Sequence, residues 1–71
     1  MATNYKLLKQ KRILKSLRAL NDMSQQDAAD LIGVSRNTYC KKENGKCTFL
    51  LSEAKILAEH FGQPLEEIFL L

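Results

Sequence analysis

Arg36, Asn37 and Thr38 are three consecutive side chains whose hydrogen-bonding groups match the edges of DNA base pairs. An Arg guanidinium can fork onto guanine, an Asn amide can pair with adenine, and Thr offers thymine a methyl or a hydroxyl. Lys41, Lys42, Lys46 and Thr48 follow closely and supply donors for backbone phosphates. Such contacts fix register and orientation on a duplex and carry no sequence information directly. Other chemistries lack their parts. There is one His, no Gly-rich phosphate loop and no pair of carboxylates placed for acid–base work, so no enzyme and no cofactor are expected. Cys40 and Cys47 have no third ligand at metal spacing, since His60 falls in another predicted helix. Reduced thiols and no metal site follow.

These residues need a scaffold, and residues 24–46, SQQDAADLIGVSRNTYCKKENGK, read as two short helices joined by a tight turn. If Gln25 opens the first helix, Ala29 lies one turn later on the same face, small enough for a crossing helix to approach. Gly33 then closes that helix in the left-handed conformation, which Gly adopts without a Cβ penalty. Val34 plugs the angle between the helices. Ser35 is an N-cap whose hydroxyl can accept from the free N–H of Asn37 or Thr38. The second helix therefore spans residues 36 to about 44. Its polar first turn is exposed, and Tyr39 turns inward to anchor it. Asn44, Gly45 and Lys46 end it in the manner of a Gly C-cap.

At 71 residues the chain makes one domain with a small core. Leu and Ile dominate its apolar set and Val occurs once, which favours helix over sheet and predicts an all-α fold. No apolar run approaches the length of a membrane span, and the basic N-terminus lacks the apolar stretch of a secretory signal, so a cytoplasmic location and no membrane partner are expected. The net charge of +3 is unevenly spread. Residues 1–46 hold ten cations against four acidic residues, whereas residues 47–71 hold only Lys55 against four glutamates. A polyanion such as double-stranded DNA fits the basic half, and the acidic half would point away from it.

In chain order, Thr3 or Asn4 caps a long first helix that runs to about Asn21. Leu7, Leu8, Leu14, Leu17 and Leu20 recur in it at helical spacing with Lys and Arg between them, giving one core face and one basic face. Within it LKQKRI and LKSLRA look like two copies of one six-residue segment. Asn21 and Asp22 break the periodicity. Ser24 caps the next helix, with Asp27 three residues on as a near capping box. After the second helix of the pair, Phe49, Leu51, Ala54, Leu57, Ala58 and Phe61 describe a fourth helix that Gly62 stops, with Thr48 or Ser52 as its nearest cap. Pro64 suits the first turn of a last helix, and Leu65, Ile68 and Phe69 face inward from it.

Gln25 to Gly33, then VSRNTY, then ENGK resembles the helix-turn-helix of the phage Cro and repressor family, also called the XRE family. The similarity continues through Phe49, Leu51, Ala54, Ala58, Phe61, Gly62, Leu65, Ile68 and Phe69. The resemblance implies a compact five-helix, lambda-repressor-like domain spanning residues 1–71, with the motif at about 24–44. It implies a homodimer that binds operator DNA as a transcriptional regulator. The second helix of the motif would enter the major groove, Gln25 would touch a phosphate or a base edge, and Gln26 and Lys41 would flank Arg36, Asn37 and Thr38. Ile68, Leu70 and Leu71 would form the dimer contact, because relatives dimerise near this end. Glu43 would pair with Arg18.

Three departures from the family pattern stand out. The family normally has one copy of the six-residue segment, and a second lengthens the first helix by about 9 Å. Ala28 stands where relatives carry a larger apolar residue, leaving volume for Met23 or Leu31 to fill. Lys42 stands where an apolar residue is usual, so its stem is expected over the core with its ammonium reaching outward. The competing reading is a modulator or antitoxin that acts by binding a repressor or toxin protein through the apolar C-terminus or the basic first helix.

Overall fold

The structure, a computed structural model, describes residues 5–69. The expected caps Thr3 and Asn4, and the expected dimer residues Leu70 and Leu71, lie outside the described residues. Among the described residues five helices follow one another: α1 (Tyr5–Leu20), α2 (Gln25–Ile32), α3 (Arg36–Glu43), α4 (Leu51–Phe61) and α5 (Leu65–Phe69). Among the described residues there is no strand, and no helix is long and apolar enough to cross a membrane.

Four of the helices end in the same way. After α1 the N–H of Met23 donates to Arg18 O at 2.8 Å and that of Asp22 to Ala19 O at 3.2 Å, with Asp22 at φ +54°. The same pair of bonds closes α2 through Val34 and Gly33, α3 through Lys46 and Gly45, and α4 through Gln63 and Gly62. These pairs use the last orphan carbonyls of each helix and turn the chain back within two residues. Sequence and structure therefore agree on every stop.

The starts are equally local in α2 and α3. The Ser24 hydroxyl accepts from Asp27 N at 3.0 Å and the Asp27 carboxylate accepts from Ser24 N at 2.9 Å, which completes the capping box. Those bonds, the backbone one foremost, hold the Asp27 carboxyl below its ordinary range. α4 differs. Its cap position is Leu50, not Thr48 or Ser52, and no side chain caps it from in front. Instead the Glu53 carboxylate reaches back to accept from Leu50 N at 2.9 Å.

The core forms where the helices converge on Leu14, Ala28, Ala29, Tyr39, Leu57 and Ile68. Ala28 is fully buried, and Met23 and Leu31 are partly buried against the core. Phe49 joins by edge-to-face contacts with Tyr39 and Phe69, at centroid distances of 6.1 and 5.2 Å. Such aromatic pairs each add about 1 kcal/mol beyond their burial.

The leucine stripe of α1 needs correction. Leu14 is fully buried and Leu17 is half-buried, but Leu20 is 80% exposed, and Leu7 and Leu8 are 36% and 37% exposed. Leu8 and Leu20 each lie six residues from Leu14, which places them about 120° round the helix from it. Gln10, three to four residues from both Leu7 and Leu14, takes a buried place on that face instead.

Ile68 also needs correction as a dimer residue. It is fully buried within the chain, among α1 and the other residues of the core, and has no surface to offer a second copy.

Candidate nucleic-acid interface

α2 and α3 pack on each other more extensively than any other pair of helices. Gly33, at φ +73°, makes the corner between them. Ala28 and Ala29 of α2 are fully buried in the core. Val34 is half-buried in the angle and packs against the core.

α3 is held from behind and capped in front. Tyr39 is fully buried, and Ser35 Oγ accepts from Thr38 N at 3.1 Å while donating to Thr38 Oγ1 at 2.9 Å. At the other end Glu43 bonds Arg18 of α1, and Arg18 also donates to Met23 O at 3.3 Å. Burial works against ionising Glu43, but the hydrogen bonds of Arg18, with smaller help from Tyr39 and Gln25, keep its carboxyl below the ordinary range. The bond to Glu43 in turn raises the Arg18 guanidinium above its ordinary value. The Tyr39 hydroxyl lies beside this pair without a hydrogen bond of good geometry, and burial pushes its pKa up.

With α3 so fixed, Arg36, Asn37 and Lys41 are exposed, and Thr38 is half-buried with its hydroxyl accepting from Ser35. Gln25, at the first position of α2, is half-buried beside Glu43. Gln26 is exposed and spends one amide hydrogen on Asp30 at 2.8 Å. Lys46 and Thr48 are exposed on the segment after α3. Gln26, Arg36, Asn37, Lys41, Lys46 and Thr48 thus stand exposed at the start of α2, along α3 and on the α3–α4 connection.

Lys42 does not belong to that surface. Its ammonium does not reach outward: Nζ donates to the Glu53 carboxylate at 2.7 Å and to Thr48 O at 3.1 Å, and the residue is 8% exposed. The Phe49 ring lies 5.9 Å from the same ammonium. Burial opposes the charge on Glu53 as well, but Lys42 and the Leu50 N–H outweigh it and leave that carboxyl below its ordinary range. Lys42 standing at a position usually apolar in the family pointed to a stem over the core, but the inward turn of its ammonium had no local signal because its partner lies on α4.

Cys40 is half-buried and Cys47 exposed, and both are free thiols. Among the described residues no group of side chains is placed to hold a metal ion.

Two helices joined at a left-handed glycine, the second presenting a polar first turn, define the helix-turn-helix class of DNA-binding regulators. The chain belongs to the helix-turn-helix family whose model matches residues 14–68, the XRE type that the Cro and repressor proteins exemplify. It is 42% identical over 60 residues to an uncharacterized HTH-type transcriptional regulator of Methanocaldococcus jannaschii, covering 84% of this chain and 91% of that protein. It is 34% identical over 55 residues to the cryptic phage CTXphi transcriptional repressor RstR of Vibrio cholerae, covering 78% of this chain. The match spans 50% of RstR. No solved structure matches the chain. Both of these relatives are named as regulators of transcription.

Proposed function

We propose that this chain is a sequence-specific, operator-binding transcriptional regulator of the Cro or repressor kind, with α3 lying in the major groove. The observation that carries the reading is the fixation of α3. Tyr39 and Glu43 hold it from the core side while Arg36 and Asn37 stand free at its first turn. A reading helix has to keep its donors in register with base edges, and rigid support does that. Arg36, Asn37 and Thr38 read bases, with Gln25, Gln26 and Lys41 beside them. Lys46 and Thr48 hold phosphates, and Lys42 leaves that set because its ammonium is committed to Glu53. RstR is a transcriptional repressor, and this similarity supports repression as the sign of control.

The protein acts as a homodimer on a nearly palindromic site with half-sites about one helical turn apart. Leu70 and Leu71 remain the dimer contact of this reading.

Selection of bound duplexes from a random DNA pool tests it, run with the wild type and with Arg36→Ala. A two-fold symmetric motif that disappears or loses one base preference in the variant is the expected result. Absence of enrichment, with binding that only fades as salt rises, would overturn it and favour a repressor or toxin protein as the partner.

A further inference from the structure

The family match begins at residue 14, so the first six-residue copy, residues 8–13, and Leu7 before it lie outside the matched region. This stretch is nevertheless helical and continuous with the rest of α1. It is also seated on the motif. A Cβ built on Gly45 would lie 3.1 Å from both Cβ and Cδ1 of Leu7, so the backbone of the turn after α3 is in close contact with the added helical turns. Gly45 at φ +81° has two reasons to be glycine, its conformation and this neighbour.

Leu7, Lys11, Leu14 and Arg18 are spaced four, three and four residues apart, which puts them on one stripe within about 60°. Arg18 fixes one end of the stripe to Glu43 and Leu7 fixes the other to Gly45. Lys11 stands between them, one helical turn from Leu7, and is exposed. Lys46, the neighbour of Gly45, is exposed too. α1 carries no acidic residue, and the nearest carboxylate along the stripe, Glu43, is already neutralised by Arg18. The contact of Leu7 with Gly45 brings this cationic helix to the segment that holds Lys46.

We propose that the added turns of α1 form a phosphate-binding arm, docked through Leu7 on Gly45, in which Lys11 works beside Lys46 on the DNA backbone flanking α3. The arm rests on the operator-binding reading above. It adds affinity and register, and it leaves base preference to α3.

The test is the salt dependence of binding to the duplex enriched by selection, measured by fluorescence anisotropy for wild type, Lys11→Ala, Lys11→Arg and Lys55→Ala. Lys55 is an exposed cation on α4, in the acidic half of the chain. Each neutralised phosphate contributes a slope of about 0.9 to log affinity against log salt. Lys11→Ala is expected to reduce the slope by about one, so that a fourfold rise in salt weakens it about threefold less than wild type. Lys11→Arg restores the slope, Lys55→Ala leaves it unchanged, and the enriched motif is the same in all four. An unchanged slope in Lys11→Ala, with wild type still binding its motif, would overturn the arm and spare the operator reading. Equal reductions from Lys11→Ala and Lys55→Ala would overturn it as well, since net charge alone would account for them. A wild type that enriches no motif would overturn both.

Discussion

The Arg18 guanidinium meets the Glu43 carboxylate through two parallel hydrogen bonds, Nε to Oε2 and Nη2 to Oε1, each 2.8 Å long. The two residues are 25 positions apart in sequence. Their side chains are only 11% and 3% exposed, so the pair acts in a poorly solvated setting and joins the C-terminal end of α1 to the last residue of α3. A bidentate fork fixes orientation as well as distance, which a point charge on a flexible stem does not.

Arg18→Ala leaves the Glu43 carboxylate buried without its partner and should cost about 3 kcal/mol of folding stability. Arg18→Lys should recover only part of that, because Lys cannot fork. Urea unfolding of the two variants gives the comparison. Equal stability of Arg18→Lys and wild type would mean that the fork geometry is unimportant.

Acid should destabilise the protein through the same pair and through Glu53. Both carboxyls titrate below their ordinary value in the folded chain. A depressed carboxyl contributes stability above its unfolded pKa, and that contribution is lost as pH falls through the folded one. The urea midpoint is therefore expected to be level above about pH 5 and to fall progressively below it. Glu53→Gln should start lower at neutral pH and show a shallower acid decline.

Lys42 and Glu53 test whether a buried pair is needed as such. Lys42→Met alone strands the Glu53 carboxylate and should cost about 3 kcal/mol. Lys42→Met combined with Glu53→Gln keeps the volumes and the Leu50 cap while removing both charges, and should regain most of that loss. Because the Lys42 ammonium is occupied, the double variant should bind DNA with the salt slope of wild type. A lower slope would return Lys42 to the phosphate set.

Gly33 and Gly45 separate conformation from contact. Both have positive φ, but a Cβ at Gly33 meets nothing within 4 Å whereas one at Gly45 meets Leu7 at 3.1 Å. Gly33→Ala should cost about 1 kcal/mol, the left-handed penalty alone. Gly45→Ala should cost more, and Leu7→Ala in the same chain should shrink the excess. Thermal melts of the three variants decide it, and equal costs at the two glycines would mean that α1 does not press on the turn.

The caps of α2 and α3 and the stops of α1 to α4 were legible because each is made within a few residues by a residue type suited to it. The cap of α4 was expected at Thr48 or Ser52 and lies at Leu50, where only Glu53 serves it. Ser24 with Asp27, Ser35 with Thr38, and Gly33, Gly45 and Gly62 all act through bonds that close locally, so residue type and spacing suffice to define the elements and the corner between α2 and α3. The polar first turn of α3 and the inward Tyr39 followed from the same periodicity. Glu43 with Arg18 was anticipated through family resemblance, not through any local rule.

Charge and burial across the helices were decided only by the tertiary structure. Lys42 reads as one of three neighbouring cations until α4 brings Glu53 to within 2.7 Å of its ammonium. Ile68 reads both as an inward residue of the last helix and as a dimer contact until α5 buries it completely in the core, and Leu8 and Leu20 read as core until the packed helices leave them exposed. The added turns of α1 read as a repeat until Leu7 meets Gly45. Local bonds are specified by neighbours along the chain, but burial and pairing depend on which distant surfaces meet. In a domain this small, one such meeting determines whether a lysine faces solvent or a carboxylate.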